Sequence, residues 1–344
     1  MKIPHRRMWF TLSAISFAVN GLAVAQTAPT PAEASVILPE TTVRATAEQE
    51  LKQALGVSII TQEDLQERPP ANDLSELIRT MPGVNLTGNS ASGQFGNSRQ
   101  IDLRGMGPEN TMIMIDGKPV QSRNASKMGR TGERDTRGDS NWVPVEAIDS
   151  IEVIRGPAAA RYGSGAAGGV VNIITKKPTD KFSGSVTVYT SQPEHSEEGD
   201  TKRASFNLSG PVAENLSFRL FGNVAKTNAD DTSLNSHVSD LSLAPAGREG
   251  VRNRDLNGLL RWDLTPQQVL EFEAGTSRQG NIYAGERLMN SDTNAANMQA
   301  LLGQETNITH RNTVGLTHRG KWDWGTSRLV FQAENTRRSQ YPVG

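Results

Sequence analysis

The chain has 344 residues, and its 36 Lys and Arg against 37 Asp and Glu leave a formal net charge of −1, which gives no basic footprint for a nucleic acid. Cysteine is absent, so disulfide staples and thiolate metal sites are excluded, and the 5 histidines (His5, His195, His237, His310, His318) are scattered without ligand spacing. There is no run of the ~18 or more apolar residues that a membrane-spanning helix needs.

Residues 1–25 read as a secretory signal: a basic start (Lys2, Arg6, Arg7), an apolar stretch from Met8 to Val24, and Ala23-Val24-Ala25 as a cleavage sequence, with a mature chain beginning at Gln26. Residues 26–55 form an Ala/Pro/Thr-rich flexible arm that contains the short extended segment Thr41-Thr42-Val43-Arg44-Ala45. Such a peptide suits addition to a partner's sheet edge, although on pattern alone a solvated linker is the simpler reading.

Small α/β structure is predicted over residues 56–180. Val57-Ser58-Ile59-Ile60 is a strand, Thr61 to Leu65 begins a helix with an acidic first turn, and Leu74, Leu77 and Ile78 share one face of a second helix that Pro82-Gly83 ends. Further strands fall at Val84-Asn85-Leu86, at Ile101-Asp102-Leu103 and at Thr111 to Ile115, the last closing in an Asp116-Gly117 turn. Two β-branched runs, Ile148 to Ile154 and Gly169 to Ile174, flank a Gly/Ala-rich stretch. That stretch spells G-x-G-x-x-G at Gly163, Gly165 and Gly168. A phosphate-binding loop must open a helix, and here a strand follows, so the glycines are expected to serve close backbone packing instead.

From Lys181 onward the texture becomes long alternating strands separated by polar loops. Seven are predicted, centred on residues 184–190, 204–209, 216–224, 260–264, 270–274, 311–322 and 329–334. Period-two alternation suits a soluble sandwich as well as an outer-membrane barrel, but short connections alternate here with long ones, which favours the barrel. The fold class expected is therefore an α+β plug inside a transmembrane antiparallel β-barrel, with residues 181–344 as the N-terminal part of that barrel.

The chain resembles the TonB-dependent outer-membrane receptors, and within them the branch for ferric enterobactin and related catecholate siderophores. The motifs that carry the resemblance include Leu77-Ile78-Arg79-Thr80-Met81-Pro82-Gly83-Val84, Leu103-Arg104-Gly105-Met106-Gly107-Pro108-Glu109-Asn110, Ile115-Asp116-Gly117-Lys118-Pro119-Val120, Arg134-Asp135-Thr136-Arg137-Gly138-Asp139 and the stretch from Pro144 to Pro178. Matching text runs from about Val57 to beyond Arg337. The resemblance implies a receptor rather than an enzyme, set in outer-membrane lipid of a Gram-negative cell, with no resident cofactor and with iron carried only inside the siderophore. TonB would engage a box at Thr41, Thr42, Val43, Arg44 and Ala45, where Arg44-Ala45 departs from the commoner apolar pattern. An alternative role is a surface for bacteriocins or phage, or a truncated remnant that does not transport. Seven strands do not close a barrel of this class, so the sequence is expected to continue beyond Gly344.

A ferric tricatecholate is a bulky trianion whose iron is already fully coordinated, so its receptor needs cations and flat side chains rather than metal ligands. The candidates are Arg99, Arg123, Lys127, Arg130, Arg134, Arg137 and Trp142 in the polar plug loops, with Tyr283 and Arg287 in the long loop after residue 280. An ordinary solvated loop with internal ion pairs accounts equally for about half of them. By the resemblance, Arg104 and Arg155 pair with carboxylates of the barrel wall and dock the plug, their partners lying beyond Gly344.

Overall fold

The computed structural model describes residues 56–67, 74–87, 96–122, 136–156, 162–163, 165–235, 247–284 and 301–340. Its N-terminal half is built on a five-stranded sheet of β1 (Val57–Ile60), β4 (Thr111–Ile115), β5 (Lys118–Pro119), β6 (Ile148–Arg155) and β7 (Gly169–Thr175) in the order β1-β6-β7-β4-β5. Strands β4 and β7 are parallel and the other pairs antiparallel. Strands β2 (Val84–Thr87) and β3 (Gln100–Leu103) form a separate two-stranded sheet.

Helix α1 (Gln62–Glu67) starts where Thr61 and Asp64 cap each other: the Asp64 amide donates to Thr61 Oγ1 at 3.3 Å and the Thr61 amide to the Asp64 carboxylate at 2.9 Å. Helix α2 (Leu74–Ile78) buries Leu74, Leu77 and Ile78, the face read from its spacing, against Ile60, Leu103, Ile113, Ile151, Val153 and Ile173. The central strands are apolar on both sides. Ile113, Val171 and Ile173 face this main core, while Met112, Met114 and Val170 pack on the far side with Ala166. A sheet covered on both faces reads as a continuous apolar run rather than an alternating one, as the sequence of β4 and β7 does.

The glycine-rich stretch feeds directly into β7, so no helix follows the G-x-G-x-x-G text. Gly169 has φ 144°, and a Cβ placed there would lie 2.2 Å from the Ile154 carbonyl oxygen. At Gly168 a Cβ would sit 3.2 Å from the Leu103 carbonyl oxygen. Both positions are points where one plug backbone crosses another, as expected from the strand context.

The C-terminal half is a seven-stranded antiparallel meander, β8 (Ser183–Ser191), β9 (Thr201–Ala213), β10 (Leu216–Thr227), β11 (Gly250–Thr265), β12 (Gln268–Ile282), β13 (Glu305–Trp322) and β14 (Gly325–Gln340), in sequential order. All seven predicted strands are present, each longer than its sequence core. Register aligns Phe218, Leu260, Phe272, Leu316 and Phe331 in one row across five strands, and of these Leu260, Phe272, Leu316 and Phe331 are exposed on the outer surface. The opposite face carries Arg203, Arg219, Asp255, Gln279 and Arg311, all buried. Strands β9 to β14 of this apolar-out, polar-in wall, at 12 to 18 residues, exceed the ~9–11 residues that a tilted strand needs to cross a bilayer. Tight turns join β9 to β10, β11 to β12 and β13 to β14, whereas residues 192–200, 228–249 and 283–304 make long connections on the opposite rim.

Candidate functional site: the contact between plug and wall

The polar face of the wall lies against the plug, and the contacts fall into three levels. At the rim of long connections, Asp230 joins two loops. Its carboxylate accepts from the Arg248 side chain at 2.9 Å, the Arg248 amide at 2.8 Å and the Gly199 amide at 2.8 Å. Burial works against the charge, but these hydrogen bonds outweigh it and hold the Asp230 carboxyl below its ordinary pKa. Arg248 also pairs with Glu198 at 2.6 Å.

Just inside that rim the apical plug segment is gripped by the wall. The Gly96 amide donates to the Glu249 carbonyl at 3.2 Å, and the Asn97 amide to Asn281 Oδ1 at 3.1 Å. Asn97 Nδ2 donates to Asn253 Oδ1 at 3.0 Å, and Gln279 Nε2 donates to the Gly138 carbonyl at 2.9 Å. Between this segment and strands β9 to β11 lies a cleft of about 430 Å³ whose lining includes Glu76, Asn97, Arg99, Arg203, Arg248 and Glu249.

In the middle level Arg203 pairs with Glu146 of the plug at 2.6 Å and lies over the Tyr189 ring. Arg311 pairs with Glu334 at 3.0 Å, with its guanidinium 5.5 Å from the Trp142 ring centroid. At the innermost level the β4–β5 turn reaches three wall strands through three consecutive residues. The Asp116 carboxylate lies 4.0 Å from Arg219 of β10 and accepts from the Thr175 amide and hydroxyl at 2.9 and 2.6 Å. Its carbonyl accepts from Arg328 of β14 at 3.0 Å, the Arg328 guanidinium also lies against Gly117, and Lys118 pairs with Glu273 of β12. Burial pushes the Asp116 carboxyl above its ordinary pKa, with Arg219 opposing the shift. Both turn residues have positive φ, 51° at Asp116 and 73° at Gly117, as a tight hairpin turn requires.

Of the residues expected from sequence to meet ligand, Arg99 lines the cleft and is ion-paired with Glu76 of α2 at 2.9 Å. Arg137 is exposed beside the gripped Gly138. Trp142 is 3% exposed, belongs to the plug core and donates its indole N–H to Ser122 Oγ at 3.1 Å, so its ring faces Arg311 rather than an open surface. Tyr283 is likewise buried, at the end of β12. Arg123, Lys127, Arg130, Arg134 and Arg287 lie outside the described residues, as do Thr41, Thr42, Val43, Arg44 and Ala45.

Arg104 and Arg155 stand together on the plug. Arg104 takes the left-handed conformation (φ 60°) and is exposed, while Arg155 donates to Ser58 Oγ at 2.7 Å and the Gly56 carbonyl at 3.4 Å. Burial and the neighbouring Arg104 hold the Arg155 guanidinium below its ordinary pKa. Among the described residues the plug–wall ion pairs run mostly in the other direction, from wall arginines to plug carboxylates. Sequence reasoning missed Asp116, Glu146, Arg203 and Arg219. The inward parity of Arg203 and Arg219 was readable from alternation, but their partners, far away in the chain, were not.

Comparison with known proteins accounts for both halves. A model of the TonB-dependent receptor plug domain matches residues 49–170. The chain is 63% identical over 316 residues to the ferric enterobactin receptor PirA of Pseudomonas aeruginosa, covering 91% of this chain and 42% of that protein. It is 54% identical over 338 residues to the ferrienterobactin receptor of Escherichia coli, covering 96% and 44%. The crystal structure of the siderophore receptor PirA from Acinetobacter baumannii superposes with a TM-score of 0.78 at 57% identity, over 87% of this chain and 42% of that one. The ferric enterobactin receptor PfeA of Pseudomonas aeruginosa, in a mutant form in complex with enterobactin, superposes with a TM-score of 0.75 at 59% identity, over 85% and 43%. The chain thus spans less than half the length of these relatives. Residues 49–170 match the plug domain of the TonB-dependent receptors, and the chain as a whole is similar to the N-terminal part of receptors of that family, the plug followed by the first strands of the barrel.

Proposed function

We propose that this chain serves TonB-dependent uptake of a ferric catecholate siderophore of the enterobactin type across the outer membrane. The observation that carries the reading is the identity of 63% to a ferric enterobactin receptor, continuous through plug and wall alike. The chemistry agrees with it. Arg99 and Arg248 line the cleft under the long loops, with Arg137 nearby, and fixed guanidinium groups suit a large trianion. Arg123, Lys127, Arg130, Arg134 and Arg287 are the further cations of this reading. Trp142 supports the site from beneath by holding Arg311.

Thr41 to Ala45 act as the TonB box, adding a strand to the periplasmic TonB domain, and residues 1–25 direct export. Arg104 and Arg155, two guanidiniums side by side, receive wall carboxylates and dock the plug. Binding of ferric enterobactin by the purified receptor, followed by quenching of intrinsic fluorescence with a ferric hydroxamate as the control, tests the ligand class. Tight binding of the catecholate alone supports the reading, and preference for the hydroxamate overturns it.

A further inference from the structure

We propose that the outer surface of the wall, just below the long connections, binds the phosphorylated headgroup of a lipid in the outer leaflet through a row of basic side chains on β11 to β14. Register places Arg254 of β11 opposite Arg278 of β12, Arg278 opposite His310 of β13, and His310 opposite Arg337 of β14. These four share the strand parity of Leu260, Phe272, Leu316 and Phe331, so they stand on the outward face, where Arg254, His310 and Arg337 are exposed. Glu305 is the carboxylate that meets this group: it pairs with Arg278 and, at 3.5 Å, with Arg252, and its charge also acts on Arg254. The other carboxylates nearby belong to the long connections. Asp200 pairs with Lys202 at 3.1 Å, and Glu197 and Asp231 line a rim cavity with Lys226 and Arg252.

Like charges directly opposite one another weaken a sheet, so Arg254, Arg278, His310 and Arg337 side by side call for more negative charge than one carboxylate supplies. The position of the row decides its source. On the side away from the long connections the next row is Leu256, Thr276, Asn312 and Asn335, which is uncharged, and beyond it lie Val314 and the apolar row of Phe272 and Phe331. Strand β11 runs ten residues from Arg254 to Leu264. That is about 33 Å along the strand and about 25 Å across a bilayer at a tilt of ~40°, the height of the lipid-facing band of such a wall. Leu264, Trp322 and Trp324 are exposed at its far end. The basic row therefore stands at headgroup level with acyl chains beside it, and an anion held there carries a lipid tail. Phosphate suits the row because guanidinium forks bind it bidentately, and Thr276, Asn312 and Asn335 offer hydrogen-bonding groups to the sugar or ester just beneath.

The lipid site rests on the outer-membrane reading of the wall given above and not on the siderophore, and its binding is read without iron. The purified receptor in detergent is titrated with bisphosphorylated lipid A, with the same lipid stripped of both phosphates, and with inorganic phosphate as competitor, and bound lipid is counted by native mass spectrometry. Lipid A should bind roughly tenfold or more tightly than its dephosphorylated form, and Arg254→Gln with Arg337→Gln should weaken it by roughly ten- to thirtyfold and remove that preference. Inorganic phosphate at equal concentration should leave the bound lipid in place. Equal binding of the two lipids, an unchanged preference in the double variant, or displacement by inorganic phosphate overturns the proposal. Should the double variant fail to assemble, a photoreactive headgroup on lipid A decides in the unmodified receptor: cross-links within β11 to β14 uphold the site, and label confined to other parts of the receptor refutes it.

Discussion

Arg203 of the wall and Glu146 of the plug meet at 2.6 Å with side chains 6% and 16% exposed, so one ion pair ties two layers that pack on each other largely through polar groups. Truncating one partner strands the other. Glu146→Ala should cost about 3–5 kcal/mol of unfolding free energy in denaturant, because Arg203 then stays buried without the carboxylate it meets. The double variant Glu146→Leu with Arg203→Met should recover most of the loss, since an apolar pair of similar volume meets no such penalty. Equal destabilisation by the single and double variants would mean that the pair is not what holds this level.

Lys118 and Glu273 join the β4–β5 turn to β12 with both side chains largely buried. Lys118→Glu opposes like charges and should loosen the plug, seen as faster amide exchange in β4 and β5. Reversal in the double variant Lys118→Glu with Glu273→Lys should restore most of the protection, a coupling of about 0.5–3 kcal/mol. Without such rescue, the turn is held by Arg219 and Arg328 instead.

The clamp between the two long loops has a defined pH dependence. The native Asp230 pKa lies below the ordinary carboxylate value of about 4, so the stabilisation is fully present above that value and is lost only as pH falls through the lowered native one. Limited proteolysis of residues 192–200 should therefore be unchanged from pH 8 to pH 5 and rise only below about pH 4. Asp230→Asn should raise cleavage already at pH 7, by roughly three- to tenfold, the lower end reflecting the solvent screening of half-exposed Arg248.

The wall was legible in the sequence because membrane strands repeat a period of two and one face must be apolar; Leu260-Arg261-Trp262-Asp263-Leu264 states both faces in five residues. Helix α2 was legible for the same kind of reason, with Leu74, Leu77 and Ile78 at one-face spacing. The site was less so. A loop arginine looks the same in sequence whether it is free or paired, and Arg99 is committed to Glu76. Trp142 looked like a stacking platform, yet its position between Ser122 and Arg311 follows from which residues the folded plug and the wall bring together, which no local pattern encodes.

Among the described plug glycines, Gly169 would bring a Cβ nearest to another backbone, at 2.2 Å. Gly169→Ala forces a Cβ against the Ile154 carbonyl oxygen at a φ that L residues avoid, and should cost about 2–5 kcal/mol through strain and overpacking. The expected result is a protease-sensitive plug within an assembled barrel, read by tryptic digestion of outer membranes. Gly163→Ala, with nothing within 4 Å of the new carbon, is the control and should be milder.

Energised transport is measured directly by the accumulation of iron-55 from ferric enterobactin by cells expressing the receptor as their sole catecholate route. Wild-type cells should accumulate label only when TonB is present, while deletion of residues 41–45 should abolish accumulation and leave surface binding intact. Accumulation that ignores TonB, or no accumulation from ferric enterobactin while a different ferric siderophore is taken up, would contradict it.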